Sequence, residues 1–214
     1  MQRLAKVVFF GLLVKPLVLI VLGLNVRGRE RLPRRGPAVI AANHNSHLDV
    51  LVLMSLFPLR QLHRVRPVAA ADYFLRNPLI SWFSRTCISI IPIDRSGHAE
   101  QDALFSDCQQ ALDQNAILII FPEGSRGDPE KIGKIRKGIF YLLKERLDTP
   151  IVPVVMHGLG RALPRGEALL VPFNCDVVVG EPLPRPESAA QLTRQLGEAF
   201  TAQLEQCVTR QEVD

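Results

Sequence analysis

The chain reads as an α/β protein: a mostly parallel central sheet flanked by helices, behind an apolar N-terminal helical segment. Three observations predict this. Short apolar runs rich in β-branched residues alternate with stretches of helical period. Several of those runs are apolar at consecutive positions, as strands buried on both faces are. Polar loops follow some of them directly, which is where α/β folds place their sites.

Residues 7–24 (VVFFGLLVKPLVLIVLGL) are apolar except for Lys15. As one helix they reach about 27 Å, against a hydrocarbon core of ~30 Å. A lysine at the bilayer centre costs roughly 2.5–3.5 kcal/mol, and Pro16 removes a helical hydrogen bond. Two placements stay open: a break at Lys15 and Pro16 with both halves lying shallowly in one leaflet, or one tilted span. Arg27, Arg29, Arg31, Arg34 and Arg35 follow at once and suit an anionic cytoplasmic leaflet. No small-x-small site follows Leu24, which speaks against a cleaved signal peptide. Residues 1–26 are therefore read as a membrane-associating helical segment, monotopic or single-pass. Residues 27–214 are read as one domain on the cytoplasmic face of the inner (plasma) membrane.

Within that domain, residues 37–42 (PAVIAA) form a buried strand, 43–49 a polar loop, and 50–57 a buried helix that begins near Ser46. Residues 68–71 and 88–93 read as strands, with a helix over 77–86 between them. A helix over 100–113 carries Ala103, Leu104, Cys108, Ala111 and Leu112 at helical spacing. Residues 116–121 (AILIIF) and 151–156 are continuous apolar strands on either side of a helix over 138–145, and 177–180 is a late strand. Ser188 caps a C-terminal helix with Gln191 at the fourth place of a capping box. Its apolar stripe is Leu192, Leu196, Ala199, Phe200, Leu204 and Val208.

Lys and Arg number 26 against 21 Asp and Glu, a net charge of +5, which calls for an anionic partner. Aromatic residues make up only 6%, too few to interleave with the basic ones for base stacking, so nucleic acid is disfavoured. Cys87, Cys108, Cys175 and Cys207 lie far apart and form no CxxC, so they read as core residues of a reduced compartment.

Two strand-end loops concentrate the chemistry. The first is Asn43, His44, Asn45, Ser46, His47, Leu48 and Asp49. With Ser46 as N-cap, Asp49 falls at the third helical position, where the helix dipole favours an acid. The turn then brings the His44 imidazole onto the Asp49 carboxylate, which fixes the tautomer and frees the other nitrogen as a base. Taken singly, Asp49 reads as well as a capping acid, and His44 or His47 as loop polar groups. His44, His47 and Asp49 are also metal-ligand types, but the spacing is not HExxH and no third His or Cys follows nearby. The second loop is Phe121, Pro122, Glu123, Gly124, Ser125, Arg126 and Gly127. Gly124 and Gly127 permit close backbone approach, and Arg126 offers a planar fork for phosphate. Lys131, Lys134, Arg136 and Lys137 extend the positive field. The plain alternative is a β-turn with an internal Glu123–Arg126 pair. Asp94 and Arg95, at the end of the 88–93 strand, are a third candidate. There is no GxSxG elbow and no Cys/His nucleophile pattern, so the chemistry that fits is direct attack by a bound hydroxyl.

These residues resemble the ordered motifs of the glycerolipid acyltransferase family over roughly residues 26–185. Asn43 and His44 through Asp49 resemble its NHx4D block. Ile93, Asp94 and Arg95 resemble the second block, the run from Phe121 to Arg126 the third, FPEG(T/S)R, and Val152, Pro153 and Val154 the fourth. The second block often opens with Gly six residues before its Arg, where this chain has Ser89. The resemblance implies residues 27–214 as the catalytic domain, His44 and Asp49 as the catalytic pair, and Arg95, Glu123, Gly124, Arg126 and Lys137 as acceptor-binding residues. It implies acyl transfer from acyl-CoA or acyl carrier protein to a lysophospholipid at a membrane, with 1-acyl-sn-glycerol-3-phosphate as the leading acceptor, and no metal or other cofactor. Another lysolipid acceptor, or thioester or lipid hydrolysis, stays open beside it.

Overall fold

The computed structural model describes residues 2–71, 77–94, 101–127, 131–162 and 173–213. Among the described residues, seven strands form one sheet: β1 (Leu22–Arg27), β2 (Ala38–Ala42), β3 (Val65–Ala70), β4 (Ile91–Ile93), β5 (Ile117–Ile120), β6 (Ile151–His157) and β7 (Phe173–Val179). Their order is β1-β7-β6-β2-β5-β3-β4, parallel throughout except for the β6–β7 pair. The expected architecture is the observed one.

Alternation along the buried strands splits the core into two layers. Ala38, Ile40, Ile117, Ile119, Val152 and Val154 face one side, and Val39, Ala41, Leu118, Ile151, Val155 and Val178 the other. The first layer is covered by the N-terminal helix and α3 (Leu48–Ser55), the second by α5 (Gln101–Asp113), α6 (Gly138–Leu142) and α8 (Ala189–Leu204); α4 is Pro78–Phe83 and α7 is Leu159–Ala162. The Ser188 hydroxyl caps α8 as expected, accepting from the Gln191 N–H at 3.2 Å, while the returning arm departs from the expected box: Gln191 Oε1 accepts from the Glu187 N–H, one residue before the cap, at 2.8 Å. All four cysteines are buried.

The N-terminal segment does not break at Lys15 and Pro16. A helix runs from α1 (Gln2–Val8) through a wide π-helical stretch (Phe9–Val14) into α2 (Lys15–Val21). The Lys15 N–H donates to the Phe10 carbonyl, five residues back, which opens the helix just where the proline ring needs room. Lys6, Phe10, Val14, Val18 and Leu22 form a stripe of period four buried on the domain, while Leu12, Leu19 and Ile20 are exposed. Residues 22–26, read from sequence with the membrane segment, belong to the sheet: β1 pairs with β7 along its whole length. Of the basic cluster, Arg29 donates to the Leu56 carbonyl, and Arg31 to the Val179 carbonyl and the Glu181 carboxylate. Those two arginines tie the β1–β2 connection to the fold.

Candidate active site

β2 and β5 are adjacent parallel strands with Ala41 opposite Ile120. That register sets the 43–47 loop and the 121–127 loop side by side at their carboxyl ends. The Gly127 N–H donates to the His44 carbonyl at 3.2 Å and joins the two loops directly.

The His44–Asp49 contact is formed. His44 Nδ1 donates to Asp49 Oδ2 at 2.8 Å, and the N–H groups of Asn45 and Ser46 donate to the same oxygen at 2.7 and 2.9 Å. An oxygen accepting three donors favours the ring proton on Nδ1 and leaves Nε2 as the basic nitrogen of a residue that lines the cavity. Asp49 is fully buried at the start of α3, and the His44 ring stacks on Phe121 with centroids 4.1 Å apart. The local capping differs from the expected box. α3 begins one residue later, with His47 at the N-cap, and the Ser46 hydroxyl accepts from the Leu48 N–H at 3.3 Å. The reciprocal arm survives, because the Asp49 carboxylate reaches back to the Ser46 N–H. Asn43 holds the loop down: its side chain donates to the Met156 carbonyl at 2.9 Å and accepts the Met156 N–H at 2.7 Å, like one more ladder rung between β2 and β6. Asn45 donates to the same carbonyl at 3.0 Å.

Glu123 does not pair with Arg126. Its buried carboxylate accepts the His44 N–H and the Gly133 N–H, both at 2.8 Å, and so clamps the His44 loop to the 131–136 segment. Burial pushes its pKa up, and those two N–H bonds pull it part of the way back. A side chain at Gly133 would put its Cβ 2.6 Å from Glu123 Oε2, so glycine there lets the backbone approach. Gly124 sits at φ +79°, a left-handed turn beneath the Arg136 side chain, and Arg136 Nε donates to the Glu123 carbonyl at 3.1 Å. Arg126 donates to His47 Nε2 at 2.5 Å. Burial first, then the Arg126 and His44 charges, lower the His47 pKa, which keeps that imidazole a neutral acceptor.

These groups surround a cavity of about 980 Å³. His44, His47, Asp94, Gly124, Arg126 and Arg136 supply its polar lining, while Val68, Ile88, Ile90, Leu104, Ile120 and Leu142 are part of a larger apolar one. The structure therefore gathers His44, Asp49, Glu123, Gly124 and Arg126 within two loops. It leaves Lys137 exposed at the start of α6 and off the cavity wall, where its neighbour Arg136 stands instead. Arg95 lies outside the described residues. Sequence reading named Asn43 and Arg136 without these roles, the loop anchor and the cavity-lining cation, and did not single out Gly133. The glycine spacing 124, 127 and 133 around one acid was the available signal for the clamp.

Comparison with known proteins fits this geometry. A family model described as Acyltransferase matches residues 23–157. The chloroplastic 1-acyl-sn-glycerol-3-phosphate acyltransferase of Arabidopsis thaliana is 28% identical over 162 residues, 75% of this chain and 43% of that protein. A 1-acyl-sn-glycerol-3-phosphate acyltransferase of Chlamydomonas reinhardtii is 31% identical over 179 residues, 83% of this chain and 52% of that protein. The chain thus spans about half the length of the relatives it matches. The crystal structure of the 1-acyl-sn-glycerophosphate (LPA) acyltransferase PlsC from Thermotoga maritima shares the fold, with a TM-score of 0.74 at 18% identity over 96% of this chain and 82% of that one.

Proposed function

The chain belongs to the acyltransferase family, and from that premise we propose that it moves a fatty acyl group from a thioester, acyl-CoA or acyl carrier protein, to the hydroxyl of a lysophospholipid. The acceptor is 1-acyl-sn-glycerol-3-phosphate and the product phosphatidate, in phospholipid biosynthesis. The observation that carries this reading is the His44–Asp49 contact beside a largely apolar cavity with Arg126 and Arg136 in its wall. The names of the relatives support the choice of acceptor.

His44 Nε2 takes the proton of the acceptor hydroxyl as its oxygen attacks the thioester carbonyl carbon, and Asp49 holds and stabilises the imidazolium. The carbon–sulfur bond then breaks. The sulfur leaves as thiolate, or takes the proton back from His44, with little need for acid help because a thiol pKa is near 8.5. Arg126 and Arg136, with Arg95 on the strength of its motif, hold the acceptor phosphate and so place the hydroxyl. The scheme uses no metal, and the thioester is a co-substrate.

The N-terminal helix presents apolar side chains outward while its other face is buried on the domain from Lys6 to Leu22. A helix docked along that length favours lying in one leaflet over crossing the bilayer. The proposed location is the cytoplasmic face of the inner (plasma) membrane.

The test is a panel of lysolipids offered with both donor types, with products read by mass spectrometry. His44→Ala should lower transfer by roughly 10²–10⁴-fold while vesicle binding persists. A variant retaining more than about a tenth of turnover, below any expected base contribution, overturns the assignment. Equal thioester consumption with and without lysolipid would make the protein a hydrolase.

A further inference from the structure

Acyl transfer leaves one exposed element unused. The short helix α4 (Pro78–Phe83) starts on Asn77, whose side-chain oxygen accepts the N–H groups of Leu79 and Ile80 at 2.9 and 3.5 Å. Leu79 is 75% exposed, Trp82 64% and Ile80 43%. Leu79 and Trp82, three residues apart, share a face. So much large apolar surface on a short capped helix marks a contact site.

What covers it is indicated by its neighbour. Phe83 meets Phe9 of the N-terminal helix edge-on, with ring centroids 5.0 Å apart. Leu12 and Leu13, one turn beyond Phe9, are 77% and 57% exposed. The two outward apolar faces therefore flank a common aromatic seam. Arg85, exposed just past α4, and the net charge of +5 match an anionic surface and oppose a second copy of the chain. Six residues of helix reach only about 9 Å, which suits burial in the headgroup–acyl boundary and not a span.

We propose that α4 is a second membrane-docking element, inserting Leu79, Ile80 and Trp82 into an anionic phospholipid leaflet alongside the N-terminal helix. This rests on the membrane reading given above. Immediately after α4 the chain turns through Ser84–Ile88 and supplies Ile88 and Ile90 to the cavity wall. Docking through α4 thus brings that wall next to the lipid from which an acceptor is drawn.

Trp82 is the single tryptophan of the chain, so emission excited selectively at tryptophan reports on this helix alone. The full chain is diluted from detergent into vesicles of phosphatidylglycerol and phosphatidylethanolamine, with and without acyl chains brominated near the headgroup. The emission should shift to the blue and be quenched by the brominated lipid. Leu79→Asp should weaken vesicle binding roughly tenfold, about 1.4 kcal/mol, with the thermal midpoint and turnover of a short-chain, monomeric acceptor unchanged. A chain that co-floats with vesicles while Trp82 emission stays unshifted and unquenched overturns the role of α4 and leaves the membrane reading intact. A chain that does not float overturns both. A blue shift that grows with protein concentration and needs no lipid assigns the face to a second copy and overturns the proposal.

Discussion

At the scale of single residues, a carboxylate buried between two backbone N–H groups from different loops has little left to offer a substrate. Glu123 is in that position, between His44 and Gly133. Glu123→Gln keeps the volume and one acceptor but sets an amide NH₂ against one of the two N–H groups. Leaving a buried donor unsatisfied costs about 1–3 kcal/mol. The expected outcome is a lower thermal midpoint and a lower kcat, with KM for thioester and acceptor little changed. A raised acceptor KM at an unchanged midpoint would instead make Glu123 a substrate ligand, the role its motif implies. The two cations before α6 separate in the same way. Arg136 lines the cavity and Lys137 does not. Loss of one charge-assisted contact is worth about 1.5–3 kcal/mol, so Arg136→Ala should raise the acceptor KM by ten-fold or more on that basis, with the thioester KM nearly constant. Lys137→Ala should stay within about twofold, as exposed substitutions do. Equal effects of the two would place the phosphate elsewhere.

At the scale of elements, the N-terminal helix is fastened by a buried lysine. Lys6 Nζ donates to the Val65 carbonyl at the start of β3 and to the Ile88 carbonyl beside the cavity, at 2.8 and 2.9 Å. Burial, and then the Arg66 guanidinium, lower its pKa from 10.5 to about 7. Between those values the unfolded chain binds a proton that the folded one does not, so stability rises with pH and is lost as pH falls towards 7. The slope is at most about 1.4 kcal/mol per pH unit. Lys6→Met should remove it, which the difference in denaturant midpoints of the two proteins from pH 7 to 10 will read; parallel curves would mean that Lys6 is not buried. This fastening was not legible in the sequence, because a lysine ahead of an apolar run looks like a headgroup ligand until its partners are known. β1 was hidden for a related reason: an edge strand that continues an apolar helix shows no change of composition. The buried strands β2, β5 and β6 were legible within a residue or two, since strands apolar on both faces have few other places to be. The end of α4 and the start of β4 were not, because the wide turn of Ser84–Ile88 has no sequence signature, and Ser89 follows it at φ +63°. That left-handed conformation is one glycine takes freely, which accounts physically for the glycine common at this place in the resembling family. The His44–Asp49 pair was legible because a five-residue interval across a helix start leaves little conformational freedom.

At the scale of the whole molecule, the N-terminal helix is a wall of the core and, in the proposed function, also a lipid-facing surface, and one pair of substitutions separates the two roles. Phe10 is fully buried in the same cluster as Ile40, Val52 and Leu53, whereas Leu12, two residues on, is 77% exposed. Truncating a buried phenylalanine costs about 3–5 kcal/mol through lost transfer energy and the cavity left behind. Phe10→Ala should therefore lower the denaturation midpoint sharply, even in detergent and without lipid. Leu12→Ala should leave the midpoint within about 0.5 kcal/mol and weaken vesicle binding instead. A helix that crossed the bilayer away from the domain would reverse the first result, since Phe10 would then meet lipid and its truncation would not disturb the core. The stripe from Lys6 to Leu22 runs along β1, α3 and the turn of Ser84–Ile88, so the domain cannot keep these contacts while the helix stands upright in a membrane. If Phe10→Ala leaves the midpoint unchanged, the helix is a detachable anchor and not a wall of the core.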